Sequence, residues 1–329
     1  MRNARTCWFA PIFVLIALTP ALGADAEGEK YALLVGVSKY NKNELRDLPY
    51  PAEDVEDLSQ IFLANGYRPE NVTVMTQKRG SEEARLLPSA ENIRRELALL
   101  LRDREEGDTV VIGLAGHGVQ IVGVDDSFFC PFDTRLADAS TLLSIGEVYR
   151  QMEKSKAGLK LLLVDACRNS PQSDNSRARA VVDLASESRP RKEPPGGVVA
   201  LFSCSASEKA YEHADLKHGV FFHFVIEGLR GQAAGSEDQG IMVEDLARFV
   251  KRRVNDFVRA RYGERQMPEL KGSLRGLVPL VTLDATLSKT IAELSDKIRV
   301  NPKDSAAWNN RGNAYRIKRD FARAIADYD

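Results

Sequence analysis

Two apolar stretches about fifty residues apart decide the fold of this chain: VVIGLAGHG at residues 110–118 and LLLVDACR at residues 161–168. Each ends in a residue that can take part in nucleophilic chemistry, His117 in the first and Cys167 in the second. Continuous apolar runs rich in Val and Leu are typical of strands buried on both faces of a parallel sheet. Side by side, such strands bring His117 and Cys167 together at the sheet edge where open α/β folds bind ligands. A thiol within reach of an imidazole is an activated nucleophile, so the sequence predicts a cysteine hydrolase.

The rest of the main domain alternates between strand-like and helix-like segments. We predict strands at residues 31–37, 72–75, 109–114, 160–165 and 197–203, and helices at residues 52–65, 89–102, 144–155, 221–229 and 243–259. Ser89, followed by an amphipathic run, is a helix-start signal for the second of these helices. Strands that alternate with helices imply βαβ units and a mostly parallel sheet.

A family resemblance rests on the same two blocks. A His–Gly pair followed about fifty residues later by Asp165-Ala166-Cys167-Arg168 resembles the signature of the caspase-like cysteine peptidases, in their paracaspase and metacaspase branch of bacterial type. The resemblance spans roughly residues 30–280, and the segments 31–38, 48–58, 219–231 and 266–269 also fit it. It implies a caspase-like three-layer α/β sandwich with a mostly parallel central sheet. It also implies a cysteine endopeptidase that needs no cofactor.

The resemblance assigns roles to three residues. Cys167 is the expected nucleophile, and His117 is the base that later protonates the leaving amine. The backbone N–H groups of Gly118 and Cys167 are the expected oxyanion hole, and a glycine at 118 lets the backbone approach the substrate. The alternative is that Cys167 is a core residue at the end of a strand and His117 an ordinary loop histidine. The spacing of the two blocks favours the dyad.

Three acids suggest the substrate preference. Asp165 stands where caspases have Gln, and in the paracaspase and metacaspase branch that position helps to form an acidic pocket for Arg or Lys. Asp54 and Glu212 match the other two acids of that pocket, although Glu208 is a near neighbour that could take the place of Glu212. Ala115 stands where metacaspases often have Ser, which puts one pocket contact in doubt. The resemblance therefore predicts cleavage after Arg, and less efficiently after Lys.

Residues 169–197 interrupt the alternating pattern with a long, polar, Arg-rich segment directly after the expected nucleophile. Long segments of this kind inside compact domains are usually functional or disordered. We predict that the enzyme cuts itself here, and the candidate positions are Arg177, Arg179, Arg189 and Arg191. The alternative is a solvated linker.

The first 26 residues have the composition of a secretory signal. Arg2 and Arg5 precede an apolar stretch at residues 8–18, and small residues follow at 21–26. The apolar stretch is shorter than the ~20 residues that a membrane span needs. We therefore expect an exported protein, periplasmic or secreted, with no membrane span after cleavage; an uncleaved N-terminal anchor is the alternative.

The cysteine count fits one reactive thiol. Cys130, Cys167 and Cys204 remain after removal of the signal, and an odd number in an exported protein implies at least one free thiol or an intermolecular pairing. Cys130 and Cys204 could form a disulfide. Because both lie in apolar surroundings, we expect them to be buried thiols instead.

The C-terminal segment, residues 285–329, has a different pattern. Aromatic and small residues fall at the spacing of a tetratricopeptide repeat, namely Trp308, Gly312, Tyr315, Phe321, Ala324 and Tyr328. One incomplete repeat cannot bury its own apolar face. Either the chain is cut from a longer protein or the segment packs on the main domain of residues 27–284, and we expect the former. Such repeats bind proteins or peptides.

Composition narrows the classes of partner. Lys and Arg (46) nearly balance Asp and Glu (47), so no basic excess points to nucleic acid. No Cys/His set has zinc spacing, and the adjacent Asp125 and Asp126 do not form a calcium-loop pattern, so we predict no metal. The expected partners are protein or peptide substrates with Arg or Lys before the cut. An inactive scaffold acting through the repeats, and a thiol hydrolase or transferase for non-peptide acyl groups, are the other hypotheses.

Overall fold

The computed structural model describes residues 28–40, 45–121, 123–167, 192–205, 208–234, 240–274, 279–318 and 320–329. Its strands are β1 (Lys30–Gly36), β2 (Val72–Met75), β3 (Thr109–Gln120), β4 (Ser127–Phe129), β5 (Leu143–Ser144), β6 (Leu159–Cys167), β7 (Val199–Phe202), β8 (Glu212–His213), β9 (His218–Gly219), β10 (Gly240–Ile241), β11 (Glu269–Gly272) and β12 (Val281–Thr282). Its helices are α1 (Pro51–Ala64), α2 (Gln77–Glu82), α3 (Ala90–Leu101), α4 (Ile145–Lys154), α5 (Val220–Glu227), α6 (Val243–Tyr262), α7 (Leu283–Val300), α8 (Ser305–Ile317) and α9 (Phe321–Tyr328).

The main sheet has the strand order β11-β7-β6-β3-β1-β2. The five strands from β7 to β2 are parallel, and β11 is antiparallel to β7. The predicted mostly parallel sheet is therefore confirmed. Strand β4 pairs with the C-terminal part of β3 in the antiparallel sense, and β5 pairs with β4.

Helices cover both faces of this sheet. On one face, Leu34 of β1 belongs to a buried cluster with residues of α1, α5 and α6. On the other face, its neighbour Leu33 belongs to a cluster with residues of α3 and α4. Since successive side chains of a strand point to opposite faces, burial on both sides requires the continuous apolar runs seen in the sequence. The predicted three-layer α/β sandwich is confirmed.

The helix starts follow their capping residues. The Ser89 hydroxyl accepts a hydrogen bond from the Asn92 N–H at 3.3 Å, and the Ser144 hydroxyl accepts one from the Glu147 N–H at 2.9 Å. Strand β3 differs from its prediction, because it continues beyond residue 114 to Gln120. The extension pairs with β4, an antiparallel partner that the apolar pattern does not indicate.

The C-terminal helices pack on the main domain. Leu287 of α7 and Ala314 of α8 belong to the same buried cluster as α1, α5 and α6, and Ile291 packs against that cluster. Arg311 of α8 forms an ion pair with Asp327 of α9 at 2.7 Å. Helix α7 carries an apolar face that joins the main core, so this segment packs on the main domain.

Cys130 and Cys204 are buried thiols, as expected. The Cys204 Sγ–H donates to the Glu208 carbonyl oxygen at 3.3 Å, and Cys130 lies in the cluster beneath α3 and α4. Within the described ranges, no helix is both long and apolar enough to cross a membrane.

Candidate active site

The register of two neighbouring strands brings the candidate dyad together. Strands β3 and β6 form a parallel ladder in which Thr109 faces Leu159 and His117 faces Cys167. The two apolar runs therefore end level with each other at the same edge of the sheet, as the sequence predicts. Cys167 is described by its backbone as the last residue of β6, and the four candidate self-cleavage arginines lie outside the described residues.

Contacts of the buried His117 fix the orientation of its ring. The backbone N–H of His117 donates to the Tyr40 Oη at 2.8 Å, and the centre of the Tyr40 ring lies 5.0 Å from the centre of the imidazole. The His117 Nε2 lies 2.8 Å from the Arg46 carbonyl oxygen. Since a carbonyl can only accept, Nε2 carries the proton and Nδ1 is the basic atom of the ring.

The surroundings of His117 favour a neutral ring. Burial lowers the pKa of His117 to about 4, against a smaller upward effect of the hydrogen bond to Arg46. At neutral pH the side chain is therefore an imidazole with a lone pair on Nδ1. This is the protonation state that a general base needs.

Gly118 faces the end of β6 and has no room for a side chain. A Cβ at this position would lie 2.9 Å from the Ala166 Cβ and 3.0 Å from the Ala166 carbonyl oxygen. The backbone carbonyl of His117 accepts a hydrogen bond from the Cys130 N–H, just after β4. The backbone of His117 therefore faces β4. Because N–H groups alternate along a strand, the Gly118 N–H points to the other side, toward β6. The Gly118 N–H therefore lies on the Cys167 side of β3, and its oxyanion role stays a prediction.

The predicted acids come together on one face of the sheet, below the dyad. Asp54 lies in the first turn of α1 and is 2% exposed, and Asp165 of β6 is 9% exposed. A Cβ on Gly219 would lie 3.2 Å from the Asp54 Oδ2 and 2.9 Å from the Asp165 Oδ2. Both carboxyl groups therefore converge on the same glycine backbone, where any other residue would collide with them.

Glu212 completes the group that we call the acid cluster: Asp54, Asp165 and Glu212. It pairs directly with Gly219 in the short β8–β9 hairpin. Glu208 has another task, because its carboxylate accepts from the Met267 N–H at 2.6 Å and forms an ion pair with Arg265 at 2.9 Å. The structure thus separates the two candidates, and Glu212 is the one that joins the other acids.

Burial and mutual repulsion hold protons in the acid cluster. Burial, and then repulsion from Asp54, raises the pKa of Asp165 to about 8. The same two causes raise the pKa of Glu212 to about 7. The Asp165 Oδ1 is buried with no hydrogen-bond partner among the described residues, while the nearby Ser203 hydroxyl partly offsets the upward shift of the Asp165 pKa. Such an arrangement is costly without a ligand and becomes favourable when a cation binds.

Two supporting residues have no periodic signal in the sequence: His218 supports the acid cluster and Tyr40 supports His117. The His218 Nδ1 lies 2.7 Å from the Asp54 Oδ1. Tyr40 was missed because its partner, the backbone N–H of His117, has no sequence signal. His218 directly precedes Gly219 in a segment that fits the family pattern, and that position was the available signal.

Gln266 ties the hairpin to the sheet. This fully buried side chain donates from Nε2 to the Ser203 carbonyl at 2.9 Å and accepts from the Tyr211 N–H at 3.1 Å. Because Glu212 directly follows Tyr211, this link also holds Glu212 near the end of β7. It gives a structural reason for the Gln-Met-Pro segment that the sequence analysis singled out.

The described residues offer no evident metal centre. No group of three or more His, Cys, Asp or Glu side chains in the described part of the chain has the geometry to hold a metal ion. Asp126 instead caps α4, where its carboxylate accepts from the Ser144 hydroxyl at 2.5 Å and from the Gly146 N–H at 3.1 Å.

Comparison with known proteins gives partial sequence matches. The chain is 32% identical to Metacaspase-1 of Candida albicans over 106 residues, which are 32% of this chain and 22% of that protein. It is 27% identical to Metacaspase-4 of Arabidopsis thaliana over 155 residues, which are 45% of this chain and 35% of that protein. The chain thus spans about a fifth to a third of the length of these relatives.

Solved structures share the fold. Caspase-1 from Spodoptera frugiperda matches with a TM-score of 0.51 and 15% identity, over 78% of this chain and 91% of that one. A protein from Geobacter sulfurreducens matches with a TM-score of 0.52 and 17% identity, over 75% and 95%. The family model Peptidase_C14, caspase domain, matches residues 29–279, which include the dyad and the acid cluster. The chain therefore belongs to the caspase-domain family of cysteine-type peptidases.

Proposed function

We propose that the protein is a cysteine endopeptidase that cleaves after Arg, and less efficiently after Lys, with His117 and Cys167 as its catalytic dyad. The observation that carries the proposal is the buried, unpartnered Asp165 Oδ1, two residues before Cys167 and beside Asp54. A carboxyl group held this close to a nucleophile selects a cationic side chain next to the bond that is cut.

The chemistry proceeds in two stages. His117 Nδ1 takes the proton from the Cys167 thiol, and the sulfur attacks the scissile carbonyl carbon. The Gly118 and Cys167 N–H groups stabilise the oxyanion. His117 then protonates the departing amine as the C–N bond breaks, which leaves a thioester on Cys167. Water, activated by His117, hydrolyses the thioester and regenerates the thiol.

The acid cluster favours Arg over Lys. A guanidinium is planar and has five N–H donors, so it can bind two carboxylates at once, whereas an ammonium is a compact point charge. Asp165 and Glu212 lie on different elements and offer two such acceptors. Cation binding releases the protons that burial and repulsion hold there, so we expect cleavage after Arg to improve as the pH rises from about 6 to 8.

The test compares matched fluorogenic peptides that end in Arg, Lys, Asp or Ala. We expect Arg peptides to be cut fastest and Lys peptides more slowly, with no cleavage by Cys167→Ala. Cys204→Ala is the control, because Cys204 is a thiol that lies outside the dyad. Equal rates for Arg and Ala peptides would contradict the role of the acid cluster. No cleavage by folded, reduced protein would favour the inactive-scaffold hypothesis.

We also propose that residues 1–26 direct export and that the arginines of residues 169–197 are self-cleavage points. Sequencing the N-terminus of the mature protein tests the first. Intact-mass measurement tests the second, and an active enzyme that stays full length would contradict it.

The C-terminal helices are proposed to bind a protein partner as part of a helical repeat. Helix α9 exposes the side chains of Phe321 (58%), Ile325 (60%) and Tyr328 (45%). An exposed apolar stripe on one helix suits contact with a further helix. A change of all three residues to Ser should abolish partner capture and leave peptide cleavage unchanged.

A further inference from the structure

His218 stands between two carboxylates of α1. Its Nδ1 lies 2.7 Å from the Asp54 Oδ1, and its Nε2 lies 3.4 Å from the Asp57 Oδ2. A carboxylate can only accept hydrogen bonds, and a neutral imidazole has a single N–H. Both contacts are therefore satisfied together only when the ring carries two protons and a positive charge.

The position of this cation matters because Asp54 and Asp165 are neighbours. Both carboxyl groups are buried and converge on Gly219. Two buried carboxylates at close range repel each other, so one of them takes up a proton unless a cation lies nearby. His218 contacts Asp54 directly, and its 14% side-chain exposure leaves it little screened by solvent.

Other titratable or cationic side chains around His218 do not place a positive charge against Asp54. His223 of α5, whose ring lies 6.0 Å away, is neutral because burial lowers its pKa to about 4. Arg230 forms an ion pair with Glu227 at 3.5 Å and also acts on Asp57 and His223, and Arg46 lies near Glu212.

The remaining neighbours are further acids or cations directed elsewhere. Glu53 lies beside Asp54 in the sequence and adds to its repulsion. His213, the ladder partner of His218, accepts from the Arg261 Nε at 3.0 Å, and Arg253 of α6 acts on His223. Among the described residues, His218 is thus the cation in direct contact with Asp54.

We propose that His218 is a resident cation of the substrate pocket, which keeps Asp54 ionised and oriented for the guanidinium of an Arg substrate. This inference rests on the proposed specificity for Arg. His218 is a positioning residue, since it acts through Asp54 and takes no part in bond cleavage.

The charges on both partners support a stable pair. Burial opposes the charged ring, but the hydrogen bonds and attraction of Asp54 and Asp57 outweigh it and raise the pKa of His218 to about 9. Burial raises the pKa of Asp54 to about 6 despite its bonds to His218 and Gly219. Between these two values both groups are charged. Removal of the cation must raise the pH at which Asp54 ionises.

The experiment measures kcat/KM for an Arg peptide from pH 5 to 9 in wild type, His218→Gln and His223→Gln. Gln keeps an N–H donor but has no charge. We expect the acidic limb of the His218→Gln profile to move up by about one pH unit, with no loss of the alkaline plateau. His223→Gln removes a neutral ring and should leave the profile unchanged.

A second readout separates the pocket from the dyad. The rate at which iodoacetamide alkylates Cys167, followed by mass spectrometry of the Cys167 peptide, needs no cation in the pocket. Its pH profile should be the same in wild type and His218→Gln. An equal loss of kcat/KM at every pH, or an unchanged acidic limb, would overturn the inference, because a merely structural role predicts such outcomes.

Failure of the proposed function is distinguishable. Calorimetric titration of Cys167→Ala protein with benzamidine, with and without His218→Gln, reports guanidinium-type binding without catalysis. If the protein with His218 binds benzamidine and the His218→Gln change leaves the pH dependence unaltered, only the role of His218 is wrong. If that protein neither binds benzamidine nor, with Cys167 intact, cleaves Arg peptides, the Arg specificity is wrong and the inference falls with it.

Discussion

The dyad edge, made of His117, Gly118 and Cys167, and the acid cluster are neighbours that the chain builds in different ways. The dyad edge needs only two adjacent parallel strands in register from Thr109 and Leu159 onward. The acid cluster needs α1, β6 and the β8–β9 hairpin, and its contact between Asp54 and His218 joins residues 164 positions apart. The first therefore depends on strand register, and the second on how several elements pack around one glycine.

Replacement of Cys167, the proposed nucleophile, should have the largest effect on activity. Cys167→Ala should reduce kcat/KM for an Arg peptide by at least about 10⁴-fold, because the remaining groups only bind and polarise the substrate. Benzamidine binding should persist, since the acid cluster is intact. Steady-state kinetics and calorimetry on the same sample check both. Weakened benzamidine binding would show that the two regions are coupled more tightly than their construction indicates.

Asp165 belongs to the acid cluster and lies two residues before Cys167, so it connects the two regions. Asp165→Asn should lower activity and raise stability in the absence of substrate. Asp165→Asn should reduce kcat/KM for an Arg peptide by about 10²–10³-fold, through loss of a buried charge pair with the substrate. The pKa of Asp165 is raised from 3.8 to about 8, so the folded state binds more protons than the unfolded state between these values. Stability without substrate is therefore lost as the pH rises through this window.

The stability half of this prediction has its own measurement. Asn cannot ionise, so Asp165→Asn should raise the Tm by about 3–8 °C at pH 8 and by much less at pH 5. Differential scanning calorimetry at the two pH values checks the sign. An equal change at both pH values would mean that the buried charge of Asp165 is not the cause.

The contrast between the two regions explains how much the sequence could predict. The apolar runs before His117 and Cys167 predict the two strands, and parallel pairing of these strands brings both residues to the same edge. For Asp54 and Glu212, local pattern gives no distance, so only the family resemblance indicated them. His218 and Tyr40 were missed for the same reason. Their partners are a distant carboxylate and a backbone N–H, and neither leaves a periodic signal.

Glu212 and Glu208 offer a matched pair within the hairpin region. Glu212→Gln should reduce kcat/KM for an Arg peptide by about tenfold, mostly through KM, because one carboxylate of the acid cluster is lost. Glu208→Gln removes the ion pair with Arg265 and weakens the bond to the Met267 N–H, so its main effect should be on the Tm. Peptide kinetics and thermal unfolding of both variants check the difference. A larger loss of Arg specificity in Glu208→Gln than in Glu212→Gln would mean that Glu208, and not Glu212, binds the substrate.

The smallest expected effect on activity concerns Tyr40, which supports the dyad edge from behind. Tyr40→Phe keeps the aromatic ring beside the imidazole but removes the hydroxyl that accepts from the buried backbone N–H of His117. A buried donor without a partner costs about 1–3 kcal/mol, so urea unfolding should show that loss of stability. The Arg46 carbonyl still holds Nε2, and the ring should keep its orientation. We therefore expect kcat to fall by only about threefold, since the basic Nδ1 stays in place. A hundredfold fall in kcat without loss of stability would mean that the Tyr40 hydroxyl takes part in the chemistry, and that the dyad edge depends on more than the register of two strands.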